Sequence, residues 1–372
     1  MIRLQKRLGA TYTEASEDEL AARIGRAKAA LGESVLILGH HYQRDEVIRW
    51  TDATGDSLAL ARHAASHPET RWIVFCGVHF MAESADIITG PGQAVILPDL
   101  NAGCSMADMA DSGDVELAWN ELSAVTDVDT VVPITYVNST AKVKAFVGAH
   151  GGSVCTSTNA RAIMTWALDL EAGGDPRRDS SVFFLPDQHL GRNTAFQLGY
   201  SASDMAVYDP RLDLGGLAEK QAKEATVLLW KGHCSVHQRF TVEQVEAFRR
   251  DHPSGLVIVH PECPHEVVER ADATGSTNFI INEVEKAAAG TQIAIGTEIH
   301  LVNRIRSAHP DKEVVSLDPL VCPCSTMFRI DPAHLCWVLE GLVDGEVRNR
   351  ITVDEETAAL ARVALERMLA LS

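Results

Sequence analysis

Short apolar runs of strand length recur along the whole chain, and one run in each successive stretch stops at histidine or small polar residues. VLILG at 35–39 runs into His40, His41 and Tyr42, and VVPITYV at 131–137 ends in Asn138, Ser139 and Thr140. LVIVH at 256–260 ends in Pro-Glu-Cys-Pro. Runs this apolar, bounded by turn residues, read as strands buried on both faces, which parallel sheets require. Further strands are expected at 72–76, 94–97, 153–155, 181–186, 228–230, 291–296 and 313–317. Helical patterns separate them, at about 57–66, 79–88 and 242–249, with a Ser16-capped amphipathic helix before the first strand. The segment DQHLGRNTAFQLG, polar and glycine-punctuated, reads as a connecting loop with a helical turn.

The pattern is three successive βα blocks, each with a strand that ends in small polar residues or histidine, where α/β proteins place ligand-binding groups. A single doubly wound domain would also alternate strands and helices, but the repeated polar strand ends favour three small α/β domains around a shared cleft. The expected limits are 20–104 together with 330–372, then 105–205, then 206–329.

Composition narrows the function. The 372 residues are 46% apolar, enough for large packed cores, and carry 51 acidic against 33 basic residues. A net charge of −18 without a Lys/Arg cluster argues against nucleic acid as a partner. No signal-peptide core opens the sequence and no apolar run is long enough to span a bilayer, so a cytoplasmic protein with reduced cysteines is expected.

Eight cysteines are then free to be ligands, nucleophiles or core residues. Neither a CxxC pair of pairs nor a CxxCxxC run occurs, which excludes ordinary ferredoxin and zinc-ribbon patterns. Cys104 in NAGCSMADM, Cys234 in KGHCSVH and Cys324 in CSTMF share a loop-to-helix setting, about one per block. A helix N-terminus there would favour the thiolate. Cys76, Cys155 and Cys336 sit in apolar surroundings and read as core residues, while Cys263 in HPECP fits neither class cleanly. Unconnected reduced cysteines remain the competing account of all eight.

The strings GHHYQ, GDS, NAGCSMADM, YVNSTAKVKA, CTSTNA, PDQHLGRN, GHCSVH, HPEC, GST and CSTMFRI, in this order, resemble the quinolinate synthase family in its longer bacterial form. The resemblance implies three similar α/β domains in a pseudo-threefold arrangement around a central active site. It implies condensation of iminoaspartate with dihydroxyacetone phosphate to quinolinate, phosphate and two waters, in NAD biosynthesis. It also implies one [4Fe-4S] cluster per chain, held by Cys104, Cys234 and Cys324, with one iron left without a protein ligand. This chain has CPC where some relatives have CxxCxxC, so Cys322 is left without a family role.

The same resemblance places His40, Ser57, Tyr136, Asn138, Ser157, His237, His260, Glu262, Ser276 and Thr277 against substrate, with Tyr42 beside them. Neutral donors and histidines near helix N-termini suit phosphate and carboxylate groups, and no GxxxxGK[ST] loop competes for that task. Tyr42 and Glu262 are the expected proton-transfer pair, Glu262 tuned as a base by partial burial, with His40 and His237 as further catalytic groups. With 15 histidines in the chain, any one at a strand end can equally be structural, and His41 is read that way. Ser157, Ser276 and Thr277 can equally be plain helix caps. A transient contact with the oxidase or dehydrogenase that makes the imine is also expected. The rival readings are a zinc-dependent hydrolase or aldolase using His260, Glu262 and a cysteine, and a non-catalytic iron–sulfur sensor. HPEC lacks the helical HExxH spacing the first would favour.

Overall fold

The computed structural model describes residues 5–168, 180–320 and 323–371. The apolar runs form three separate sheets. The first block supplies β1 (Val35–His40), β2 (Ala53–Gly55), β3 (Trp72–Cys76) and β4 (Ala94–Ile96). The second supplies β5 (Val131–Tyr136), β6 (Ser153–Cys155), β7 (Ser181–Leu185), β8 (Met205–Tyr208) and β9 (Val227–Trp230). The third supplies β10 (Leu256–Val259), β11 (Ala273–Thr274), β12 (Gln292–Gly296) and β13 (Glu313–Ser316), and β14 (Arg350–Ile351) comes last.

Each sheet has the same parallel core, with its strands in the order second, first, third, fourth: β2-β1-β3-β4, β6-β5-β7-β9 and β11-β10-β12-β13. Two additions lie at edges. β14 pairs antiparallel with β4, and β8 pairs parallel with β9. In an order of this kind, connections leave the first and third strands in opposite directions, so the carboxyl ends of those two strands flank a crevice. β1, β5 and β10 are the first strands, and they carry the polar ends noted in the sequence.

The chain divides into two compact units. One contains residues up to Cys104, Glu298–Arg304 and the segment ending at Asp354, with the first sheet. The other contains Ser105–Thr297 and Glu355 onward, with the second and third sheets. Within this second unit β8 and β9 reach past residue 205 and extend the sheet of β5–β7. The last helix, Glu355–Ala370, packs on the helix Ala141–Ala149 of the second block. Gly148 permits the approach, because a Cβ there would stand 2.0 Å from the Leu360 carbonyl oxygen.

DQHLGRNTAFQLG is not a loop. Gln188–Gln197 is a ten-residue helix, capped by Asp187, whose side chain accepts from the His189 and Leu190 N–H groups. Its glycine is a packing device: a Cβ on Gly191 would lie 2.6 Å from Leu229 and 2.7 Å from Phe184. Small and polar buried residues hid the helical periodicity. The short edge strands β2, β8, β11 and β14 carry too few residues to show alternation.

Candidate active site

The three loop cysteines open copies of one structure. Cys104, Cys234 and Cys324 are each followed by serine, then by a single 3-10 turn over 107–109, 237–239 and 327–329. A side-chain-capped helix follows, starting at Ser112, Val242 and Pro332, with Asp111, Thr241 and Asp331 as caps. The third residue after the cysteine is buried in all three copies, as Ala107, His237 and Met327. The helices begin eight residues beyond the cysteines (104 to 112, 234 to 242, 324 to 332). The helix dipole acts over about one turn, so the expected dipole contribution to the thiolates is absent.

These three thiols are part-exposed, whereas Cys76, Cys155, Cys263 and Cys336 are buried. Burial pushes the Cys76 and Cys336 thiols up to about 12, and Cys155 and Cys263 upward as well. Burial of that kind favours the neutral thiol. Among the described cysteines the loop trio are thus the part-exposed thiols. Cys322 lies outside the described residues.

In the second unit the end of β10 carries the main cluster of polar groups. His260 donates its backbone N–H to the Gly296 carbonyl, and the Cys263 N–H closes a turn on the His260 carbonyl. The Asn193 amide, on the helix after β7, donates to the Pro261 and Cys263 carbonyls at 2.8 and 3.0 Å and fixes the turn from outside. Glu262 is thereby presented inward and is only 2% exposed. Its Oε2 lies 2.5 Å from His237 Nδ1 and 3.6 Å from His260 Nδ1. The two imidazoles stack at 4.5 Å, and His237 Nε2 is 3.1 Å from the Thr297 hydroxyl. Ligand atoms of Cys234, His237 and Glu262 lie within 4.8 Å of one another, a set able to hold a metal ion.

Burial works against the charged form of Glu262. The His237 and His260 rings and the Tyr136 hydroxyl outweigh it and pull the carboxyl down to about 2. Burial also drives His260 down to about 3. His260 is therefore neutral at neutral pH, in keeping with its Nδ1 accepting the Glu262 N–H at 3.4 Å. Glu262 is thus not a carboxylate raised toward neutrality by burial, as the sequence led us to expect, because its neighbours stabilise the charge.

The end of β1, in the other unit, repeats the turn. His40 Nδ1 accepts the Tyr42 N–H at 3.1 Å, and the Gln43 N–H bonds the His40 carbonyl. The His40 and Tyr42 rings meet edge to face at 4.8 Å. Arg304 pins this turn, donating to the His41 carbonyl at 2.9 Å and the Gln43 carbonyl at 2.6 Å. His41 is buried and its backbone N–H bonds the Gly55 carbonyl of β2.

The hydroxyl residues stand at helix starts on neighbouring strands. Ser57 is the first residue of the helix Ser57–Ala65, whose cap is Asp56. Ser276 caps the helix Thr277–Lys286, accepting the Phe279 N–H at 3.4 Å. Thr277 is 4% exposed and its hydroxyl has no partner among the described residues, an unmet polar group suited to a ligand. Ser157 lies in the turn between β6 and the helix Ala160–Ala167, whose cap position is Asn159. Tyr136 ends β5, and Asn138 follows two residues later.

Three buried charged groups were missed in the sequence. Asp187 and Glu298 each stand two residues beyond a buried strand, β7 and β12, and both are 0% exposed. Burial, and next the Glu262 charge, push Asp187 upward against three backbone N–H donors. Lys144 is also fully buried, with Nζ 2.6 Å from the Ser139 carbonyl. An acidic residue directly after an apolar strand and before a helix was the signal available for the first two.

Among the described residues no helix is long and apolar enough to cross a membrane. The fold and these groups define an α/β protein with thiol, imidazole and carboxylate donors gathered at strand ends. The model of the family described as quinolinate synthetase A protein matches residues 22–370. A quinolinate synthase of Nocardioides sp. is 56% identical over 358 residues, 96% of this chain and 90% of the relative. One from Corynebacterium glutamicum is 53% identical over 98% of the chain and 91% of its own length. A third, from Anoxybacillus flavithermus, is 54% identical over 97% and 95%. This chain belongs to the quinolinate synthetase A family and is an enzyme.

Proposed function

We propose that this enzyme condenses iminoaspartate with dihydroxyacetone phosphate, giving quinolinate, one phosphate and two waters. The reading rests on the three copies of the cysteine loop, whose part-exposed thiols Cys104, Cys234 and Cys324 together suit one [4Fe-4S] cluster. Bound there, the cluster supplies a Lewis-acidic iron lacking a protein ligand, which favours loss of hydroxide in the dehydrations.

The chain's own residues bind, orient and move protons. Ser57, Ser157, Ser276 and Thr277, beside helix starts, hold phosphate and carboxylate oxygens, with Tyr136 and Asn138 adding donors. His40 and His260 present Nε2–H, because each Nδ1 accepts a backbone N–H. Carbon–carbon bond formation requires removal of a proton from the methylene carbon of iminoaspartate. Tyr42 and Glu262 are the proton-transfer pair, and Glu262 acts with His237 at its Nδ1, the carboxylate orienting the ring. Substrate supply by an imine-producing oxidase or dehydrogenase fits the lability of the imine in water. The same reading places the reaction in the cytoplasm, in NAD biosynthesis.

The test is anaerobic reconstitution with iron and sulfide, followed by assay of quinolinate from the two substrates. Wild type should hold about four irons and four sulfides. Cys104→Ala, Cys234→Ala and Cys324→Ala should lose the cluster, and Cys322→Ala should keep it. Colourless protein carrying a single zinc would instead support a hydrolase. A stable cluster without quinolinate formation would support a sensor.

A further inference from the structure

Two buried carboxylates link the cysteine loops to the strand-end turns. In the second unit Asp187 Oδ1 accepts the His189 and Leu190 N–H groups at 2.7 and 2.8 Å, while Oδ2 accepts the Cys234 N–H at 3.2 Å. In the other unit Glu298 Oε2 accepts the His300 N–H at 2.7 Å, while Oε1 accepts the Cys324 N–H at 3.1 Å. His300 Nδ1 approaches the same Oε1 at 2.8 Å. Both acids are two residues past the third strand of their sheet. Both spend one oxygen on the start of the following helix and the other on the backbone of a loop cysteine.

The same helices continue the connection. Asn193 is six residues past Asp187 (187 to 193), and Arg304 is six past Glu298 (298 to 304). Asn193 pins the turn carrying His260 and Glu262, and Arg304 pins the turn carrying His40 and Tyr42. Each helix therefore grips a cysteine at its start and a substrate-facing turn a turn and a half later. The first block has Val78 at the equivalent place. There the His79 N–H holds the Ala102 carbonyl, a bond repeated in the second block from Gln188 to Gly232.

We infer that Asp187 and Glu298 are positioning residues that set the ligand loops of Cys234 and Cys324, an inference that rests on the cluster reading above. Such a carboxylate fixes the direction of the Cα–Cβ bond. It also occupies the cysteine N–H, which would otherwise be free to bond a cluster sulfur. The closest test is Asp187→Asn. Its amide oxygen can keep capping the helix, which turns the NH₂ toward the Cys234 N–H and breaks only that contact.

Wild type, Asp187→Asn, Asp187→Glu and Glu298→Gln are reconstituted anaerobically, and iron release to a chelator and the EPR spectrum of the reduced cluster are recorded. Asp187→Asn and Glu298→Gln should release iron roughly 10–100-fold faster than wild type. Their EPR spectra should be altered, the apo-protein should stay folded with at most a modest drop in its thermal unfolding temperature, and Asp187→Glu should recover most of the retention. Wild-type release and spectrum in both amide variants would overturn the inference while leaving the cluster reading intact. Loss of the apo fold in both would make these residues structural and would equally overturn it. Wild type that takes up no iron and sulfide would instead bring down the cluster reading itself.

Discussion

At the end of β1 the His40 Nδ1 accepts the N–H of Tyr42, and at the end of β10 the His260 Nδ1 accepts the N–H of Glu262. In both turns the next residue closes on the histidine carbonyl, and a donor from a neighbouring helix pins the two flanking carbonyls. The backbone device is the same and the side chain it delivers is not. One turn presents a half-buried phenol, the other a carboxylate that is 2% exposed and pulled down to about 2. Repetition of the block thus supplies geometry, and a single residue within the turn sets the chemistry. The Glu262 end is enclosed, with its charge stabilised by His237, and the Tyr42 end is the more open of the two.

Replacing the delivered residue should give the largest effects, and unequal ones. Glu262→Gln removes both a charge and the partner of His237, so turnover should fall by on the order of 10²–10⁴-fold. Tyr42→Phe keeps the ring against His40 and loses only the hydroxyl, so its loss should sit at the lower end, about 10²-fold. Quinolinate formation is measured with iron content matched to wild type. Near-wild-type turnover in Glu262→Gln with its cluster intact would remove the proposed proton-transfer role.

Much of this contrast is legible in the amino-acid sequence. The strand ends were marked by apolar runs halting at His40, Asn138 and His260, because a parallel strand buried on both faces cannot hide its boundary. The cysteine loops stood out because thiols followed by serine in polar segments differ from thiols inside apolar runs. Asp187 and Asn193 were lost inside a segment read as a loop, since a helix that buries glycine, asparagine and threonine shows no apolar stripe. The depressed Glu262 could not be read either. It depends on His237, 25 residues earlier (237 to 262), and on Tyr136, which ends a strand in another sheet.

The two groups at the β10 end should also separate in pH. His260 is lowered in the fold to about 3 by burial, from an ordinary value of 6.5. The folded protein therefore binds fewer protons than the unfolded chain in this interval. The stability is present above pH 6.5 and is lost as pH falls toward 3, by on the order of a few kcal/mol. Glu262, depressed from 4.5 to about 2, contributes stability that is present above pH 4.5 and lost as pH falls toward 2. Denaturant unfolding of the apo-protein at stepped pH should show His260→Gln flattening the upper window and Glu262→Gln the lower. An unchanged slope between pH 6 and 4 in His260→Gln would mean that the imidazole is not held neutral.

The pins themselves should give the smallest effects, and they rank the two turns by enclosure. Asn193 is 1% exposed, so Asn193→Ala leaves the Pro261 and Cys263 carbonyls facing a dry cavity. Losing the partner of a buried acceptor costs about 1–3 kcal/mol, and this variant should unfold at correspondingly lower denaturant. The Arg304 side chain is 24% exposed, so in Arg304→Ala water can reach the His41 and Gln43 carbonyls. Its ion pair with Asp45 is also near solvent and screened, and the total loss should be about 1 kcal/mol. Equal losses in the two variants would mean that the β1 turn is as dry as the β10 turn. The difference in chemistry would then rest on the side chains alone, with no share from the surroundings.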